Sequence, residues 1–282
     1  MIIFKTVRGI SDYLKKHNFP ERYVGFVPTM GALHEGHLSL INESRKIARF
    51  TVCSIFVNPT QFNNPEDLKK YPKTIENDIL LLEQNGCNVL FMPDEKEIYP
   101  DKKLKKEHYE LGYFETILEG KYRPGHFQGV CQVVERLLNI IKPDFLILGQ
   151  KDFQQCLVIK RLLELKHKKI ELIICPVLRE KSGLAMSSRN LRLNSDERKT
   201  ASGLNRVLLA IKNRLTKNNF SELRHHAIHQ LEKAGFRVEY LELAKRNDLE
   251  IITQFKREEE LIILVAAFLN EVRLIDNVLI KG

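Results

Sequence analysis

Through residue 176, short apolar runs alternate with stretches whose apolar positions recur at helical spacing, the pattern of strands joined by helices. The chain opens with a short strand from Ile2 and a helix over Val7–His17 that ends before Pro20. Tyr23–Val27 has the length and residue types of a buried parallel strand, and Pro28 is expected to end it, because proline gives a sheet no donor. A helix follows over His37–Arg49, where Leu38, Leu40, Ile41, Ser44, Ile47 and Ala48 share faces with charges between them. Thr51–Val57 is the next strand, rich in β-branched and aromatic residues, and it breaks at Asn58-Pro59. Two parallel-type strands separated by a helix predict a βαβ unit. Helices over Glu66–Tyr71 and Thr74–Gly86, the latter with Thr74 as N-cap and Gly86 as its stop, lead to a strand over Asn88–Met92. Tyr109–Leu118 reads as one or two edge strands. A helix over Phe127–Ile141, a strand over Asp144–Leu148, a helix over Phe153–Leu165 and a strand over Ile170–Cys175 complete this half.

Pro176 marks a boundary, beyond which the order of elements changes. Helices over Ser195–Lys217 and Ser221–Ala234 precede three strands, Phe236–Leu243, Leu261–Phe268 and Val272–Val278. That order predicts a compact α+β domain of roughly 90 to 110 residues. At 282 residues, with 43% apolar and 29% charged side chains, the chain has the makeup of a soluble globular protein with ample core. It has no apolar run of membrane-spanning length and no secretory layout at Met1-Ile2-Ile3-Phe4-Lys5, so the expected compartment is the cytoplasm. Five cysteines, far apart and without CxxC spacing, read as reduced core thiols. The net charge of +9 suits an anionic substrate or a nucleic acid. The lysine stretches Lys102-Lys103-Leu104-Lys105-Lys106 and Lys166-His167-Lys168-Lys169 lack interleaved aromatics, however, and read as solvated faces.

The stretch Val27-Pro28-Thr29-Met30-Gly31-Ala32-Leu33-His34-Glu35-Gly36-His37-Leu38 joins a strand's carboxyl end to a helix's amino end, where an open α/β sheet binds ligands and helix N–H groups favour phosphate. Its glycines admit a close backbone approach. His34 and His37, three residues apart, can donate hydrogen bonds as negative charge builds on a leaving group. An isolated HxGH is equally a polar turn or a fragment of a metal site; the flanking strand and helix favour the phosphate reading. Gln61 leaves the next strand beside this turn with an amide that both donates and accepts. Arg123, in the loop Lys121–Phe127, reads equally as an anion contact and as a surface arginine held by Pro124. Gly149-Gln150-Lys151-Asp152 supplies what a nucleotide needs: open backbone, a cation for phosphate and an acid for ribose hydroxyls. After Pro176, Met186-Ser187-Ser188-Arg189 puts two hydroxyls beside a guanidinium, a cluster able to hold a triphosphate.

Five blocks in order, PTMGALHEGH from Pro28, FVNPTQF from Phe56, RPGHF from Arg123, GQKDFQQ from Gly149 and GLAMSSRN from Gly183, resemble the pantoate:beta-alanine ligase family within the HxGH nucleotidyltransferases. The resemblance covers nearly the whole chain. It implies an α/β fold, with a Rossmann-like parallel-sheet domain over 1–176 for nucleotide and pantoate, and a smaller α+β lid domain over 177–282 that closes to protect a reactive intermediate. It implies a homodimer, ATP, pantoate and beta-alanine as substrates, Mg²⁺ bridging the outer phosphates, and neither nucleic acid nor membrane as partner. The implied reaction has two steps: pantoyl adenylate forms with release of pyrophosphate, and beta-alanine then displaces AMP. By the same likeness Met30, Gly31, Ala32, Leu33, His34, Glu35, Gly36 and His37 line the ATP phosphates, with His37 as proton donor and His34 as its partner. Gly149, Gln150, Lys151 and Asp152 hold the nucleotide, Gly149 and Asp152 at the ribose and Lys151 at the α-phosphate. Leu178 and Met186 meet adenine through main-chain atoms, and Ser187, Ser188 and Arg189 hold the triphosphate. Gln61 and Gln155 grip pantoate, Gln61 also lying near beta-alanine.

Three departures touch loop detail. The segment Asn63–Leu68 lacks a glycine common in the family, Lys73 stands where arginine is common, and Leu178 replaces a frequent valine. A nucleotidyltransferase of other acid specificity would share the HxGH turn, but the uncharged Gln61 and Gln155 suit a small hydroxy acid. A basic RNA-binding protein would share the charge, yet no aromatic-rich RNA signature is present.

Overall fold

The computed structural model describes residues 1–17, 23–101, 107–255 and 259–280. The lysine stretch at 102–106 and the expected helix stop at Pro20 lie outside the described residues. The chain forms two compact units, Met1–Gln150 with Gln154–Pro176, and Lys151–Phe153 with Val177–Gly282. Among the described residues no helix is long and apolar enough to cross a membrane.

In the first unit, β1 (Ile2–Phe4), β2 (Val24–Thr29), β3 (Phe50–Ile55), β4 (Val89–Phe91), β5 (Phe145–Gly149) and β6 (Glu171–Cys175) form one parallel, Rossmann-like sheet in the order β1-β4-β3-β2-β5-β6. Its helices are α1 (Val7–His17), α2 (Glu35–Ile47), α3 (Pro65–Lys69), α4 (Ile75–Gln84), α5 (Glu95–Ile98), α6 (Leu118–Tyr122), α7 (His126–Ile141) and α8 (Phe153–Leu165). Side chains alternate across the sheet. Phe26, Val52, Phe91 and Leu146 pack into one core with Ile10 of α1 and Leu138 of α7, whereas Val27, Cys53, Leu90 and Ile147 pack into another with Ile41 of α2 and Leu82 of α4. From β2 the chain steps outward through β3 to β4, and from β5 it steps the other way to β6. The order therefore reverses between β2 and β5, which opens a crevice at their carboxyl ends.

Pro28 does not end its strand. β2 runs through it to Thr29, with Pro28 paired to Ser54. The Phe56 amide donates to the Thr29 carbonyl and the Asp144 amide to the Val24 carbonyl, so odd positions of β2 bond β3 and even positions face β5. Pairing with β5 stops at Phe26–Leu146, and the missing N–H of Pro28 therefore falls where no ladder needs it. The expected edge strands over Tyr109–Leu118 are also absent. Gln128 of α7 bonds both the N–H (2.9 Å) and the carbonyl (2.9 Å) of Tyr109, and Gly112, at φ +61°, leads into a 3₁₀ turn over Gly112–Glu115. A side-chain amide has taken the place of a neighbouring strand.

The second unit places α9 (Ser195–Ala201), α10 (Gly203–Arg214) and α11 (Phe220–Lys233) with an antiparallel sheet of β7 (Phe236–Lys245), β8 (Leu261–Leu269) and β9 (Val272–Ile280) in sequential order. The single helix expected over Ser195–Lys217 is broken at Ser202. Its hydroxyl donates to the Lys199 carbonyl at 2.6 Å and competes with the helical ladder, and Gly203 begins the next helix. Leu204, Leu208, Leu223 and Leu231 pack with Leu241, Ile263 and Leu274 in one core.

All five cysteines are buried and free. Burial pushes the Cys53 and Cys131 thiols well up, Cys87 to about 12 and Cys175 to about 11. We expect none to react with Ellman's reagent at pH 8 until denaturant unfolds the protein. Rapid labelling of any thiol in the native state would contradict this packing.

Candidate active site

The turn after β2 sits at the sheet's reversal point. Helix α2 begins at Glu35, two residues earlier than its apolar spacing suggests, because His34 caps it: the extended His34 accepts the Gly36 amide on Nδ1 at 3.1 Å. An Nδ1 that accepts leaves the ring proton on Nε2, so His34 is a neutral imidazole with a donor on its far side. One helical turn on, the His37 ring lies against it, centroids 4.1 Å apart. The cap thus fixes both the tautomer of one histidine and the spacing to the other.

Before the cap, Gly31 and Ala32 both adopt left-handed backbone, φ +80° and +48°. Ala32 carries a Cβ, and that conformation costs it roughly 1–2 kcal/mol. Asp78 of α4 holds the turn. Its carboxylate accepts the Ala32 amide at 2.9 Å, the Leu33 amide at 2.8 Å and the Thr74 hydroxyl at 2.9 Å, and it is 1% exposed. The amides of Ala32 and Leu33 are therefore spent inside the protein, on Asp78. Thr74 stands at the N-cap position of α4 without capping it, its hydroxyl being given to Asp78. Sequence reasoning missed Asp78; the available signal was a threonine and an acid four residues apart at the start of a helix that follows the motif strands.

A second arm reaches the turn from β3. Asn58 donates to the Gln61 side chain (3.2 Å) and to the Gly129 carbonyl (3.0 Å), and accepts from the Tyr99 hydroxyl (2.9 Å). Gln61, 8% exposed, sets its amide nitrogen 3.1 Å from the Met30 sulfur, which brings two sequence-identified site residues into contact. Gly129 lets α7 approach this arm, since a Cβ there would lie 2.3 Å from the Thr60 carbonyl oxygen. His126 joins Arg123 to it: Nδ1 lies 2.8 Å from the Gln61 carbonyl and Nε2 3.0 Å from the Arg123 guanidinium. A carbonyl only accepts and a guanidinium only donates, so His126 is neutral and protonated on Nδ1. Glu119 lies 3.5 Å from Arg123 on the preceding turn of chain. A cavity of about 560 Å³ borders the other side of this region, lined by Met30, Gly31, Ala32 and Asp78 but by neither histidine of the turn nor Gln61.

The two adjacent glutamines of α8 differ. Gln154 is buried and spends its amide on the Glu119 N–H and the Phe114 and Ile117 carbonyls, whereas Gln155 is half-buried. Gly149 and Gln150, both half-buried, lie at the carboxyl end of β5.

In the second unit, Lys151 stands 3.6 Å from Asp152, and residues 178–186 form a small hairpin through an Arg179–Ala185 bridge. Leu178 and Met186 are cross-strand partners, so the Met186 amide is spent on the Leu178 carbonyl at 3.0 Å. Ser187 caps a 3₁₀ turn over Ser188–Arg192, accepting the Arg189 amide at 3.3 Å; Ser188 is buried and Arg189 half-buried. Among the described residues no three His, Cys, Asp or Glu side chains converge as a metal cage. A Mg²⁺ ion held through substrate phosphates and water requires none.

The model of the pantoate-beta-alanine ligase family matches residues 2–279. The chain belongs to that family. Family members called pantothenate synthetase are 42% identical in Cytophaga hutchinsonii, over 99% of both chains, and 43% identical in a Marinomonas species, over the full length of both. The fold agrees with solved structures of the family: the Thermus thermophilus enzyme matches with TM-score 0.87, 36% identity and full coverage of both chains. The Francisella tularensis ligase, solved with beta-gamma ATP and beta-alanine, matches with TM-score 0.81 and 38% identity over 99% of this chain and 97% of that one.

Removing the Asp78 carboxylate leaves two buried amides without their acceptor. Asp78→Ala should lower the stability of the protein by on the order of 3 kcal/mol in urea unfolding, and Asp78→Asn by less. An unchanged midpoint in Asp78→Ala would show that the turn does not depend on it. Gly129→Ala should displace the Gln61 arm; the measurement is the pantoate KM, which we expect to rise at least several-fold with the fold retained by circular dichroism.

Proposed function

We propose that this ligase condenses pantoate with beta-alanine through a pantoyl adenylate, releasing pyrophosphate and then AMP. The observation that supports this most directly is the contact of Gln61 with Met30, in the same turn as the paired histidines, at the point where the sheet order reverses. The Francisella relative, solved with an ATP species and beta-alanine, supports the choice of substrates.

The first step drives a carboxylate against a negatively charged α-phosphate, so the site must hold two anions in line and absorb the charge that develops between them. Gln61 and Gln155 orient pantoate with neutral amides, which bind a hydroxy acid without neutralising the carboxylate that must attack. His34, already stripped of its Nδ1 proton by the cap, presents Nε2–H, and His37 donates to the phosphate oxygens as pyrophosphate departs. Lys151 neutralises the α-phosphate, Gly149, Gln150 and Asp152 take the ribose side of the nucleotide, and Ser187, Ser188 and Arg189 hold the outer phosphates. Leu178 and Met186 present the hairpin edge to adenine. Mg²⁺, when bound to the nucleotide, supplies further charge neutralisation at the outer phosphates. In the second step the amine of beta-alanine attacks the acyl carbon and AMP leaves, with no covalent enzyme intermediate.

Pantoate-dependent exchange of pyrophosphate into ATP isolates the first step. The wild-type protein should catalyse it without beta-alanine, and exchange supported by other acids but not by pantoate would overturn the proposal. His37→Ala and Lys151→Ala should each slow exchange by about 10² or more, the scale of losing one transition-state donor. Near-normal exchange in both would remove these residues from the chemistry.

A further inference from the structure

Within its pairing with β8, the strand β9 carries two buried polar residues in a row, Asp276 and Asn277, 3% and 2% exposed. Neighbours on a strand point to opposite faces, so the two side chains serve different segments. Asp276 receives the Arg179 guanidinium in a two-pronged pair, 2.6 and 2.9 Å, and Arg179 also donates to the Gly183 and Asn277 carbonyls. Arg179 is thereby locked at the base of the hairpin that leads into Ser187-Ser188-Arg189. Asn277 turns the other way and donates from its side-chain amide to the Lys151 carbonyl at 3.0 Å, while its own N–H is held by Asp276 at 2.7 Å. That bond ties the Lys151–Phe153 segment to the second unit, to which it belongs although both flanks belong to the first.

We propose that Asp276 and Asn277 are positioning residues for ATP, one holding the hairpin that carries the triphosphate cluster and the other holding the main chain from which Lys151 projects. The proposal rests on the assignment of Lys151 and the serine loop to ATP made above. Burial raises the Asp276 carboxyl above its ordinary value, against the pull of Arg179 and, more weakly, of Lys151, so the Lys151 charge lies within range of the same dipeptide. Burying such a pair is costly, and it contributes geometry more than stability. Neither residue needs to touch a substrate to do this.

The test is a double-mutant cycle on full-length protein, read by pantoate-dependent pyrophosphate exchange. Asn277→Ala should slow exchange about tenfold with pantoate KM within twofold of wild type, and should add little when Lys151 is already alanine, because the two act as a unit. Asn277→Asp keeps the volume but sets an acceptor against the Lys151 carbonyl; it should lose at least as much, which a space-filling role would not produce. Asp276→Asn should raise ATP KM several-fold and leave pantoate KM within twofold. Full additivity of Asn277→Ala with Lys151→Ala, or wild-type exchange in Asn277→Asp, would overturn the proposal. If Lys151→Ala itself leaves exchange intact, the ATP assignment fails first, and that result is distinct. Thermal melts of each variant separate loss of fold from loss of placement, and a pantoate KM that rises in step with ATP KM would mark a general collapse and sink the idea.

Discussion

The grip of Asp78 on the amides of Ala32 and Leu33 is the constraint from which the first unit's chemistry follows. An alanine at φ +48° is held against its own preference, and two charge-assisted hydrogen bonds, each of about 1.5–3 kcal/mol, outweigh that cost. After the pinned turn His34 is extended, and that conformation lets its ring cap α2. Capping in turn fixes the tautomer of His34 and sets His37 one helical turn away. The carboxylate of a different helix thus holds the segment that leads directly into a motif histidine.

The second arm obeys the same logic. The loop after β3 is shaped partly by its own bonds, from Asn58 to Thr60 and Gln61, and partly from outside: Asn58 bonds Gly129, and the helix α7 comes close enough to do so only because position 129 lacks a Cβ. Gln61 then rests on Met30 with little freedom left. Both arms owe their geometry to bonds between a side chain and another segment's main chain, which is how an irregular segment is made as rigid as the sheet it leaves.

That origin explains what could be read in the sequence. Elements with strong periodicity were legible, α1 and α8 to the residue and α7 and most strands to within one or two, because burial alone decides them. The family, the α/β class and the smaller α+β part were legible from five blocks of motif. What depended on a particular distant partner was not. Pro28 lies inside a strand because β5 stops pairing two residues earlier, Tyr109 is satisfied by Gln128 rather than by a strand, and Ser202 splits a helix with its own hydroxyl. Asp78 sits 46 residues from the amide of Ala32 that it holds, and no local pattern announces such a contact.

Arg123 illustrates how geometry decides a question that composition leaves open. Read in sequence, its charge invites an anion. In the structure that charge is met by Glu119 and its guanidinium faces the bare nitrogen of His126, whose other nitrogen holds the Gln61 carbonyl. A cation already matched by a buried carboxylate gains little from a second anion and would leave that carboxylate exposed to the cost of an unpaired charge. Arg123 thus stands one side chain away from the main chain of Gln61, with His126 bonded to both.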